Sequence, residues 1–147
     1  MHIKKIILIF SSMLVCLFSL GQTAQEKAKV KAIFIRQAKE MNQQCPMYLD
    51  ELTTLTSVVF YNWTTTFNYK LNIPGEDVSA ADAKEFINEM KQQTKQFVKD
   101  GTARGIFNTN TKDRRWFMKI TGFKYKYMYY GSDGCPIGTF TLTYLDM

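Results

Sequence analysis

Apolar and polar residues alternate along this chain with two periods, one typical of helices and one typical of strands. Between Ala24 and Gln43, apolar residues recur at every third or fourth position, which predicts a helix with one buried face. Between Leu52 and Asn72, apolar and polar residues alternate on both sides of Asn62. This second pattern predicts two strands joined by a turn.

A second helix is predicted after the loop that follows these strands. Ser79 is a residue type that caps helix N-termini, and Asp82, three positions later, fits the first turn of the helix. The helical spacing of apolar residues continues to about Lys99, and Gly101 is the expected stop.

The last part of the chain predicts a terminal hairpin. Residues 102–122 show no dominant period, and residues 114–120 fit either a short helical turn or the approach to a strand. Residues 123–144 alternate between aromatic and polar positions around a glycine-rich turn at residues 131–134, which predicts an antiparallel hairpin with one aromatic face. The order helix, β-hairpin, helix, β-hairpin predicts an α+β fold. We expect one antiparallel sheet packed against helices, in a single domain over residues 22–147.

The N-terminal residues have the pattern of a secretory signal peptide. Lys4 and Lys5 form a basic start, an apolar run follows from Ile6 to Leu20, and Gly21 precedes an expected cut before Gln22. The pattern predicts export to the periplasm or the medium, with residues 1–21 removed. The alternative is an uncleaved anchor, but the run has about fifteen residues and a spanning helix needs about 20.

Removal of this segment changes the composition of the protein. The 147-residue chain carries 19 basic and 13 acidic residues, and losing Lys4 and Lys5 lowers its formal net charge from +6 to +4. The single histidine, His2, is lost as well. The predicted mature chain therefore cannot build a Ser-His-Asp or Cys-His nucleophilic site or an imidazole-bound metal centre. We expect no metal and no cofactor.

Two cysteines, Cys45 and Cys135, remain in the predicted mature chain, and each precedes a proline. An even pair in an oxidising compartment predicts a disulfide. A bridge between Cys45 and Cys135 would close a loop of about ninety residues and would stabilise the fold by roughly 4–5 kcal/mol. The alternatives are unpaired buried thiols or a reactive thiol, and the latter needs a nearby base or a second cysteine in a CxxC motif.

One stretch of motifs resembles a loose group of small exported bacterial proteins of unknown function. It starts with the sequence Cys-Pro-Met-Tyr-Leu-Asp at residues 45–50, continues through a Thr-rich hairpin that ends at residues 67–71, and closes with a terminal aromatic hairpin. The resemblance covers roughly residues 41–145. It implies export and this order of elements, and it transfers no functional residue.

Basic and aromatic residues alternate near the C-terminus, and such a pattern is a candidate surface for an anionic partner. Residues 101–147 hold seven basic and three acidic side chains, whereas residues 45–100 hold five and eight. The partner could be lipid head groups, acidic glycans or an envelope protein. Nucleic acid fits the same pattern, but export opposes it. The alternative is that this stretch binds no partner and is a half-buried strand whose lysines face the solvent. The candidate residues are Arg114, Arg115, Trp116, Lys119, Lys124 and Lys126.

Enzymatic activity is the competing class of function. The adjacent acid pairs Asp50-Glu51 and Glu76-Asp77 lie beside predicted turns. General acid–base chemistry needs one carboxylate with a raised pKa, and neighbouring acids on a loop are usually both solvated. We therefore expect an exported, non-enzymatic domain that acts as a binding or structural component of the envelope.

Overall fold

The computed structural model describes residues 24–99 and 111–147. This part contains the following helices and strands: α1 (Ala24–Gln43), β1 (Met47–Tyr48), β2 (Thr53–Tyr61), β3 (Thr64–Leu71), α2 (Ala80–Lys99), α3 (Thr111–Thr121), β4 (Lys124–Tyr130) and β5 (Pro136–Leu142). The predicted signal peptide and the predicted helix stop at Gly101 lie outside the described residues. The expected α+β class, with a sheet packed against helices, is confirmed.

The five strands form one sheet in the order β1-β2-β3-β4-β5. Three of the neighbouring pairs are antiparallel, as expected, but β3 and β4 run parallel, with Thr64 beside Lys124 and Lys70 beside Tyr130. The expected all-antiparallel sheet is therefore wrong at its centre. The reason is the connection between β3 and β4, which contains α2 and α3 and returns the chain to the end of the sheet where β3 began.

The two predicted long helices are confirmed. In α1, the residues Val30, Phe34, Ala38 and Met41 share one buried face. At the start of α2, the Ser79 hydroxyl accepts a hydrogen bond from the Asp82 backbone N–H at 3.2 Å, as a helix cap does. Residues 114–120, for which the sequence fits either a short helical turn or the approach to a strand, belong to the helix α3.

The first hairpin turns through two residues with left-handed backbone conformation. Asn62 has φ 46° and Trp63 has φ 57°. A two-residue turn with positive φ at both positions matches the twist of the strands that it connects. The Trp63 ring lies at 6.2 Å from Phe60 and at 6.4 Å from Phe117, so packing holds a residue that rarely adopts this conformation.

The described helices pack on one face of the sheet. Phe34 of α1 stacks on Phe60 at 5.5 Å and on Phe123 at 4.6 Å. Phe86 of α2 meets Tyr129 edge to face at 5.2 Å. The core between the helices and the sheet is rich in aromatic rings, and full burial of each such side chain stabilises the fold by about 1.5–3 kcal/mol.

Candidate binding face of the sheet

The second face of the sheet is free of the described helices. We call it the open face, and strand alternation and the pairing register define its residues. It consists of Tyr48 from β1, Thr54, Ser57, Val59 and Tyr61 from β2, Thr64, Thr66, Asn68 and Lys70 from β3, Lys124, Lys126, Met128 and Tyr130 from β4, and Pro136, Thr139 and Thr141 from β5. Tyr61 is 80% exposed and Val59 is 50% exposed, as expected for a surface that none of the described helices covers.

Lysine is the only charged residue type on the open face. Lys70 and Lys124 are exposed and Lys126 is half-buried. The face contains no aspartate or glutamate, so the three ammonium groups have no carboxylate neighbour on it. Lys70 lies level with Tyr130, six residues along the sheet from Lys124. At about 3.3 Å per residue, the three lysines span about 20 Å along β3 and β4. We call them the lysine track.

Neutral hydroxyl groups surround the lysine track. Thr66 and Thr141 lie on either side of Lys126, in a row that crosses β3, β4 and β5. The Thr139 hydroxyl donates a hydrogen bond to the Tyr127 carbonyl at 2.8 Å and is thereby occupied. Across the residues that the structure describes, the hydroxyls of Thr66 and Thr141 form no hydrogen bond with the protein, and both residues are half-buried.

The structure divides the six predicted candidate residues between two surfaces. Lys124 and Lys126 lie on the open face. The other four belong to α3, which packs on the core face of the sheet: Arg114, Arg115, Trp116 and Lys119. The side chains of Arg115, Trp116 and Lys119 are exposed, and that of Arg114 lies outside the described part. The candidates are thus not a single cluster.

Sequence reasoning missed Lys70 as a member of the basic surface. The alternation of Phe67, Tyr69 and Leu71 with polar residues does show that Lys70 points away from the core. Its position beside Tyr130 follows from the parallel pairing of β3 with β4. No local pattern in the sequence indicates that pairing.

Cys45 and Cys135 are free thiols in this structure, and the expected bridge between them is not confirmed. Cys45 precedes the edge strand β1 and Cys135 directly precedes β5, with β2, β3 and β4 between them. At about 4.8 Å per strand, their separation is roughly 15 Å or more. Bridged cysteines have their Cα atoms within about 7 Å of each other.

Neither thiol is activated for nucleophilic chemistry. Burial raises the pKa of Cys45, whose Sγ donates to the Met41 carbonyl at 3.4 Å. A hydrogen bond with the neighbouring Asp133 carboxylate raises the pKa of Cys135. Reactive cysteines need the opposite shift, because the thiolate is the nucleophile.

The carboxylates considered for catalysis lie exposed on two separate loops. Asp50 and Glu51 are in the turn between β1 and β2, whereas Glu76 and Asp77 precede α2. The Asp50 carboxylate accepts a hydrogen bond from the Leu52 backbone N–H at 2.9 Å, which stabilises the turn. This arrangement differs from a buried pair in which one acid has a raised pKa.

The described residues contain neither a membrane-spanning helix nor a metal-binding group of side chains. No helix within 24–99 and 111–147 is both long and apolar enough to cross a membrane. In the same ranges, no three His, Cys, Asp or Glu side chains form a group that could hold a metal ion. A shallow depression on the outer side of α2 is lined by that helix alone, between Ala81 and Gln92.

A family model described as a domain of unknown function (DUF8479) matches residues 29–134. The chain belongs to this family. The DUF8479 match runs from α1 to the turn before β5, so it contains the open face except for its last strand. It agrees with the expected membership in a group of unknown function. It does not single out the Cys-Pro-Met sequence at residues 45–47.

A crystal structure from Pseudomonas aeruginosa, of a protein provisionally described as secreted, has a similar fold. The TM-score is 0.56 at 12% sequence identity, and the similarity covers 86% of this chain and 98% of that one. At this identity the likeness shows the fold alone. No curated protein matches the chain.

Proposed function

We propose that this DUF8479 protein is an exported, non-enzymatic binding domain of the cell envelope, and that its open face holds an anionic partner. The observation that supports binding is the lysine track, Lys70, Lys124 and Lys126, on a face without acidic residues. A surface of one charge sign raises the local concentration of an oppositely charged partner and orients its approach.

The exported location rests on the basic and apolar N-terminal pattern of residues 1–21. The similar fold of a Pseudomonas aeruginosa protein provisionally described as secreted is consistent with it. The compartment is the periplasm or the medium, and the alternative is a domain anchored by its uncleaved N-terminal segment. In each of these places, anionic glycans and lipid head groups are available to the lysine track.

The test is a titration of isotope-labelled protein with polyglutamate, a simple polyanion, followed by NMR at low salt. We expect chemical-shift changes on the outward residues of β3 and β4. The variant Lys70→Gln/Lys124→Gln/Lys126→Gln should bind about tenfold more weakly, because each exposed charge contributes a few tenths of a kcal/mol or more. The control is Lys29→Gln/Lys31→Gln/Lys39→Gln on α1, which makes the same change in net charge. Equal losses in both variants would contradict a specific role of the open face.

An anionic membrane surface contacted by α3 is a second candidate, favoured by one observation. Trp116 is 44% exposed, and the exposed residues Arg115 and Lys119 lie on the same helix. Tryptophan beside basic residues is typical of helices that lie on anionic bilayers. Under this candidate, Arg114→Glu with Arg115→Glu weakens sedimentation with anionic vesicles, and unchanged sedimentation would exclude it.

A further inference from the structure

Resting on the proposed function, we infer that the partner of the open face is an acidic polysaccharide, a chain of sugars that carry carboxylates. The chain lies along β3 and β4, with its carboxylates on the lysine track and its hydroxyls on the neighbouring threonines. Three features of the face lead to this class of ligand: its length, its hydroxyl groups and its shape.

The length of the lysine track requires an extended ligand. Lys124 and Lys126 are two residues apart on β4, whereas Lys70 lies level with Tyr130, four residues beyond Lys126. The whole track is about 20 Å long at about 3.3 Å per residue. A single phosphate or carboxylate can contact one end of such a track only. A linear polyanion that follows the strands can contact all three ammonium groups at once.

The hydroxyl groups of the face match a ligand that both donates and accepts hydrogen bonds. Thr66 and Thr141 lie on either side of Lys126, and neither hydroxyl bonds to the protein within the described ranges. A threonine hydroxyl donates one hydrogen bond and can accept two. Phosphate groups and carboxylates only accept, so they would engage the donor of each hydroxyl and leave its two acceptor positions unused. Sugar hydroxyls have the same dual character as threonine and would use the donor and the acceptor positions alike.

The shape and side chains of the face do not suit a bilayer. Neighbouring strands rotate by about 20–25° relative to each other, so a flat membrane meets only part of a sheet of this width. Tryptophan, phenylalanine and leucine, which insert into bilayers, are missing from the open face, and its strongly exposed aromatic residues are the tyrosines Tyr48 and Tyr61. A flexible polymer can follow the direction of β3 and β4 despite the twist.

The experiment compares four probes by isothermal titration calorimetry and co-sedimentation. Polygalacturonate presents sugar hydroxyls with carboxylates, and its methyl-esterified form presents the same sugars without charge. Polyglutamate presents carboxylates without hydroxyls, and vesicles of anionic phospholipid present a membrane surface. We expect polygalacturonate to bind at least about tenfold more tightly than polyglutamate of matched charge, and the esterified form to bind too weakly to measure.

Two variants separate the charge from the hydroxyl groups. Lys70→Gln/Lys124→Gln/Lys126→Gln should weaken binding of both soluble polyanions by about tenfold. Thr66→Val/Thr141→Val keeps the shape and the charge of the face. It should weaken binding of polygalacturonate by about fivefold or more and weaken that of polyglutamate clearly less, since carboxylates use only the donor of each hydroxyl.

The outcomes distinguish the inference from the proposed function on which it rests. If polyglutamate or the vesicles bind as tightly as polygalacturonate and the lysine variant weakens that binding, the polysaccharide is wrong and the anion-binding face stands. If the lysine variant binds every probe as the wild type does, both are wrong. If the threonine variant weakens binding of polygalacturonate clearly more than binding of polyglutamate, the result supports the inference.

Discussion

Asp133 connects two loops at one end of the sheet. Its carboxylate accepts hydrogen bonds from the backbone N–H groups of Gly75 at 2.9 Å, Glu76 at 3.2 Å and Cys135 at 3.0 Å. These bonds join the segment before α2 to the turn between β4 and β5. Because they favour the charged form, first of all the bond from Gly75, they lower the pKa of Asp133 to about 2.

We predict that Asp133→Asn lowers the melting temperature at pH 7, since a neutral amide accepts these bonds less strongly. The folded-state pKa lies below the ordinary value of 3.8, so ionisation of Asp133 stabilises the fold above that pH. This contribution is lost as the pH falls from about 4 towards 2. Thermal unfolding of wild type and variant should therefore differ at pH 7 and converge near pH 2.

The control for this prediction is Asp77→Asn, which removes the same charge from an exposed residue nearby. We expect its melting temperature to follow that of the wild type at every pH. A gap between wild type and Asp133→Asn that stays constant from pH 7 to pH 2 would show that the charge of Asp133 does not stabilise these loops.

At the scale of helices and strands, local periodicity was sufficient for most of the fold. The bounds of α1 and both hairpins follow from the spacing of apolar residues, because each of these elements buries one side. The helix α3 was ambiguous, since its buried residues Phe117 and Met118 are adjacent and only a partner surface shows which period applies. The parallel pairing of β3 with β4 joins residues sixty positions apart, and local patterns do not encode such contacts.

The packing of α2 on the sheet depends on Gly138 in β5. A Cβ atom at this position would lie 2.5 Å from Cγ1 and 2.9 Å from Cδ1 of Ile87. We predict that Gly138→Ala lowers the free energy of unfolding by about 1–3 kcal/mol, because the added methyl group overfills this contact. Urea denaturation measures the change.

A double variant tests whether Ile87 is the cause. Ile87→Ala removes both atoms that the new methyl group would meet. In the Ile87→Ala background, Gly138→Ala should cost much less than it does alone, which gives a coupling energy of about 1 kcal/mol or more. If the two losses simply add, Gly138 acts through the backbone of β5 instead.

At the scale of the whole molecule, the binding surface was only partly predictable. Lys124 and Lys126 could be found because they share one strand and one alternation. Lys70 could not, since it reaches the same surface through the parallel pair. The basic residues of α3 are neighbours of Lys124 in sequence, but the helix lies on the opposite side of the sheet. Proximity in sequence therefore assigned the four residues of α3 to the wrong surface and missed Lys70.

The positions of the cysteines predict their labelling. We expect protein recovered from an exporting host to begin at Gln22 and to take up two alkyl groups without reduction. The exposed Cys135 should react before the half-buried Cys45. Intact mass measured at successive times of alkylation checks both points. Labelling that requires prior reduction would mean that the two edges of the sheet come together in the exported protein.

The parallel pair at the centre of the sheet has a consequence for folding kinetics. Each hairpin forms from residues that are close in sequence, whereas pairing of β3 with β4 must close a loop of more than fifty residues, so we expect it to form after the hairpins. The lysine track crosses this late contact, because Lys70 belongs to one hairpin and the other two lysines to the other. The complete track therefore exists only in the fully folded chain. An anionic partner that needs all three charges would stabilise the folded state. It would not bind either hairpin as an isolated fragment.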